Sequence, residues 1–95
     1  MILKIDLYQD SKTNKIETFI AENNNASSEH TRKTIEAVRA MSNAFIKNCP
    51  YWTNEQVCKT ARLTLEDTGY KILSEKQKQS IDERSIDEST EIILN

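Results

Sequence analysis

The chain has 95 residues, a formal net charge of −2, and a single Gly and a single Pro. This length predicts one domain, and one glycine excludes the glycine-rich loops that cradle phosphates in P-loop, dinucleotide and kinase-type sites. The slight acidity excludes the global basic field that draws a chain onto nucleic acid, and apolar runs of no more than three residues exclude a membrane span.

In chain order, residues 2–8 alternate. Leu3, Ile5 and Leu7 share one face and Lys4, Asp6 and Tyr8 the other, the period of a half-buried strand. A polar, turn-rich stretch follows at 10–15. Residues 16–21 fit two templates. Ile16, Phe19 and Ile20 make a helical face, whereas Ile16, Thr18 and Ile20 make a strand face that closes a hairpin with 2–8. Their β-branched content favours the hairpin.

Ser27 or Ser28 starts the next element as an N-cap, with Glu29 suited to the positive end of the helix dipole. Ile35, Val38, Met41, Phe45, Ile46 and Cys49 then fall on one helical side, which predicts an amphipathic helix ending before Pro50. Thr53 and Gln56 form a capping-box pattern for a second helix, with Val57, Cys58, Ala61, Leu65 and Ile72 on its apolar side and Gly69 late in that pattern, as a helix stop or a weak point. The expected core joins Val38, Met41 and Phe45 to Val57, Ala61 and Leu65. Ser74 and Gln77 repeat the capping pattern.

Residues 74–91 are polar and contain two near-copies of a five-residue unit, Ser80–Arg84 and Ser85–Ser89, too few for a repeat fold. The expected architecture is mainly helical (α+β): an N-terminal β-strand or hairpin, two antiparallel amphipathic helices and a polar third helical segment. Residues 1–73 form one small helical domain in this reading. Residues 74–95 form a polar helix or a mobile C-terminal segment. The apolar Ile92–Leu94 is a candidate extra strand, in cis or from a neighbouring chain.

His30, Cys49 and Cys58 are the only combination that approaches a metal or nucleophilic site. They lack paired ligand spacing, and both cysteines fall on apolar helical faces where free thiols act as small hydrophobes. The acidic pairs Asp82-Glu83 and Asp87-Glu88 lie in the most solvated stretch, which offers no means of separating carboxyl pKa values. No catalytic residue, metal or cofactor is therefore expected. Leu63 and Tyr70 lie seven residues apart, opposite the apolar stripe of the second helix. Tyr51 and Trp52 occupy the interhelical connection. These four are the candidate protein-binding residues.

Leu3–Leu7, then residues 16–20, then Ser27 to Val38 together resemble, in their order, the ribbon-helix-helix DNA-binding proteins. The resemblance covers about half the chain and carries no specific motif. It implies paired strands in the major groove, with Lys4, Asp6 and Tyr8 reading bases. The turn at 8–15 is longer than that family's, the Asn-rich loop lacks its glycine, and the second helix is too long. Asp6 also faces phosphates unfavourably.

The residues themselves lead to a different first expectation. It is a non-enzymatic, cytoplasmic binding or regulatory protein, an inhibitor or adaptor of the phage or mobile-element type. It would act through a protein partner and as a homo-oligomer, without a membrane. Nucleic acid is a partner only under the alternative of a DNA-binding repressor or antitoxin.

Overall fold

The structure, a computed structural model, describes residues 1–95. Its elements are β1 (Ile2–Gln9), β2 (Lys15–Glu22), α1 (Ser28–Asn48), α2 (Asn54–Asp67), β3 (Lys71–Ile72), α3 (Glu75–Gln79), a single 3-10 turn at Glu83–Ser85, and β4 (Glu88–Leu94). The strands form one sheet in the order β3-β2-β1-β4. β1 and β2 pair antiparallel, as do β2 and β3, whereas β1 and β4 run parallel.

This corrects the expected mainly helical class. The fold is α+β with a four-stranded mixed sheet, 26% strand and 45% helix. The strand-first order holds, but the polar third helical segment does not. Residues 75–79 form one short helix, and 88–94 return to the sheet beside β1. A parallel pair needs a long crossover. Here the connection from β1 to β4 takes in nearly every other element, so no local pattern announces it.

Residues 15–22 are a strand, as the hairpin reading has it and not the helical one. The hairpin turn places Asp10 at φ 62°, a conformation that Asp and Asn tolerate better than most side chains. The register slips between Leu7 and Tyr8, where Leu7 faces Glu17 but Tyr8 faces Lys15, a β-bulge beside the turn.

One face of the sheet builds the core. Leu3, Ile5 and Leu7 are fully buried with Phe19, Ala21, Ile92 and Leu94 against Ile35 and Val38 of α1 and Val57, Cys58, Ala61 and Leu65 of α2. This is a two-layer arrangement, helices on one side of a sheet. The expected core helices are present, but Met41 is 53% exposed and Phe45 only half-buried. Met41 lies about 60° around α1 from Val38 at 3.6 residues per turn. That offset places it beyond the region the sheet covers.

The helix ends follow from their residues. Ser27 Oγ accepts from the His30 backbone N–H at 3.1 Å. The Thr53–Gln56 capping box is formed in both directions, at 2.8 and 3.2 Å. α2 closes in a Schellman turn. Tyr70 N–H donates to Leu65 O and Gly69 N–H to Glu66 O, both at 3.0 Å, with Gly69 at φ 90°. That turn swings the chain inward and carries Tyr70 into the core.

Candidate protein-contact surface

The structure separates the four residues singled out as protein-binding. Tyr70 is 3% exposed and belongs to the core. Its pairing with Leu63 assumed that the helical period continues past residue 68, and the positive φ of Gly69 ends it. Trp52 is half-buried and packs against the core cluster, plugging the end of the helix layer. Leu63 and Tyr51 remain outside, at 50% and 89% exposure.

Met41 joins them. A groove of about 330 Å3 is lined by Met41, Ala44, Phe45, Asn48 and Cys49 from the α1 side and by Thr60 from α2. Leu63 follows Thr60 by three residues, and such positions are neighbours on a helix surface. Tyr51 sits in the turn that joins the two helices. All three exposed large apolar side chains of the molecule thus lie on the helix layer or its connecting turn. Sequence reasoning missed Met41 because it counted every apolar position in the α1 arc as core. The margin position on the wheel is the signal that separates it.

Lys4, Asp6 and Tyr8 occupy the opposite face of the sheet, each half-buried. Asp6 accepts a hydrogen bond from the Thr18 hydroxyl and pairs with Lys15 at 3.3 Å. Burial raises its pKa, but Thr18, Lys15 and Lys4 outweigh that and hold the carboxyl below its ordinary value. β1 is hydrogen-bonded on both edges, by β2 and β4, so it has no free edge to pair with a strand from a second chain.

A second groove, of about 370 Å3, is charged, and both of its cations are paired with carboxylates, leaving Glu66 without an ion-pair partner. Arg62 donates to both Glu17 carboxylate oxygens, at 3.1 and 3.2 Å, and lies over the Phe19 ring at 5.6 Å. Lys78 Nζ donates to Glu75 at 2.8 Å and to Thr18 O at 2.6 Å. Cys58 lies beneath this pairing. Burial, and then the neighbouring Glu17 carboxylate, push its thiol up to about 12, so it stays protonated at neutral pH.

His30 stacks on Tyr70 with ring centroids 5.9 Å apart. No group of three or more His, Cys, Asp or Glu side chains is placed to hold a metal ion. No helix is long and apolar enough to cross a membrane. Comparison with protein-family models, with curated proteins and with solved structures finds no match to this chain.

Proposed function

We propose that the chain is a non-enzymatic binding protein that docks a protein partner on its helix layer, around Met41, Leu63 and Tyr51. The observation that carries this reading is the placement of these side chains. Every other large apolar side chain is buried or half-buried, while these three stand half or more exposed. Apolar side chains gathered beside a groove and rimmed by polar residues are the usual anatomy of a protein-contact site. The polar residues here are Asn48 and Thr60, which line the groove beside Met41 and Phe45.

The partner's chemistry follows from the groove. It accepts one aliphatic or aromatic anchor between Met41 and Phe45, with methionine supplying an adaptable wall. An inhibitor or adaptor role suits a small domain that offers one such surface. Substituting Met41→Asp together with Leu63→Asp should abolish partner binding and leave the circular dichroism spectrum and melting curve close to wild type. Full binding by a folded double variant would remove the proposal.

A further inference from the structure

We propose that the outer edge of β4 pairs with β4 of a second copy of this chain, joining two sheets into one across a two-fold axis. The surface is separate from the groove at Met41 and Phe45, and neither proposal rests on the other.

The two edges of the sheet are treated differently. On the β2 side, β3 pairs with Ala21 and Glu22, Leu73 N–H donates to Ile20 O at 2.8 Å, and Lys78 Nζ caps Thr18 O. On the β4 side nothing comparable exists. Leu94 O accepts from Asp10 N–H at 2.8 Å, so Glu88, Thr90, Ile92 and Leu94 address β1. By alternation the backbone groups of Ser89, Glu91 and Ile93 point outward. The one cap on that side lies beyond the strand, where Asn95 N–H donates to Asn43 Oδ1 at 3.4 Å. β4 contains no Pro, no Lys and no bulge, and of its two charges, Glu88 and Glu91, the second is paired with Lys12, so few of the devices that ordinarily blunt an edge are present.

The flank of α1 beside this edge states what covers it. Arg32 and Glu88 line one hollow, and Asn43 bonds Asn95, so α1 runs alongside β4 in the same direction. Arg32, Glu36 and Arg39 are exposed on this flank. None belongs to an ion pair within the chain, whose six bridges all involve other residues. Three unpaired charges of mixed sign therefore border the unpaired strand edge.

An antiparallel second copy satisfies both features. With the two-fold axis at Ile92, Glu91 of one copy faces Ile93 of the other, and no carboxylates meet directly. Ile92 lies a little past the middle of β4, level with the region of Ala37 and Val38 on α1. The two α1 helices then run antiparallel side by side, and Glu36 of each copy meets Arg39 of the other. The charge pattern is self-complementary in this register.

Sedimentation equilibrium of the full chain tests the proposal. Wild type should sediment as a dimer at micromolar concentration. Glu91→Pro places proline where the N–H faces outward, a position an edge strand tolerates. It should give a folded monomer, at the loss of one exposed ion pair to Lys12. Glu36→Arg and Arg39→Glu should each weaken the dimer about tenfold, since each breaks two reciprocal pairs and sets like charges together. The two combined should restore it. These two variants lie on the exposed helix surface and leave the strand untouched. A wild type that stays monomeric overturns the proposal, as does dimerisation of Glu91→Pro or a charge swap that fails to restore association.

Discussion

The Tyr70 side chain and the Thr31 side chain meet at 2.7 Å, oxygen to oxygen, tying the turn that ends α2 to the first turns of α1. Thr31 Oγ1 has two acceptors for its own hydrogen, Ser27 O at 2.9 Å and Met1 Sδ at 2.7 Å, which suits the Tyr70 hydroxyl to donate to Thr31. Removing it by Tyr70→Phe should cost about 1 kcal/mol. A double-mutant cycle with Thr31→Val, read by urea unfolding, should show a coupling of about 0.5–1 kcal/mol. Strict additivity would show that the pair contributes nothing.

Gly69 makes that contact possible. Its φ of 90° is one that a side chain adopts only with strain, and a Cβ there would lie 3.1 Å from Asn23 Nδ2. Gly69→Ala should destabilise the protein by about 1–2 kcal/mol, the penalty of the left-handed region for an L-residue. Gly69→Asn should cost less. Equal stability of the alanine variant and wild type would mean that α2 does not end in this turn.

The two phenylalanines should separate clearly. Phe19 is 1% exposed and central to the core, whereas Phe45 is half-buried at the groove. Phe19→Ala should cost about 3–5 kcal/mol, the range for deleting a buried aromatic, and Phe45→Ala well under half of that. Thermal melts of the two variants check the order. A reversed order would place the core on the wrong side of α1.

The thiols offer a chemical readout. Cys58 is 7% exposed with its pKa pushed up to about 12, and Cys49 is half-exposed. Because the thiolate is the reactive species, an aromatic disulfide reagent at pH 8 should titrate one thiol, Cys49, in the native protein and both after denaturation. Rapid native reaction of Cys58 would contradict its burial beneath the Arg62–Glu17 pair.

Asp6 gives the acid limb of stability. Its folded pKa lies below the ordinary aspartate value. The unfolded chain therefore takes up the proton first as pH falls. The stabilisation is whole above about pH 4 and is lost as pH drops through the folded pKa. Asp6→Asn should melt below wild type at pH 7, and the gap should close toward pH 2. A gap that stays constant across that range would assign no role to the Asp6 charge.

Local patterns carried the elements that local forces build. The alternation of Leu3, Ile5 and Leu7 read as a strand because one face is buried and the other is not. The caps at Ser27 and Thr53 and the break at Pro50 bounded α1 and α2 because side chains there satisfy backbone groups directly. Residues 88–94 were harder. Ser89 and Glu91 interrupt the apolar positions, and only the distant β1 strand makes Ile92 and Leu94 core residues.

Met41 and Tyr70 exchanged places for related reasons. Met41 sits on the helical apolar arc but beyond what the sheet covers. Tyr70 sits past a glycine that resets the direction of the chain. In both cases the outcome depends on tertiary placement, which a wheel projected from one helix does not contain.

Site-specific photo-crosslinking in the native cellular extract tests the proposed contact surface most directly. A photoreactive side chain placed at Leu63 or Tyr51 should form an adduct with one protein partner. The same group at Lys76 or Arg84, exposed on the segment between β3 and β4, should not. Adducts of equal yield from all four positions, or none from Leu63 and Tyr51, would contradict the assignment of the helix layer as the partner-binding face.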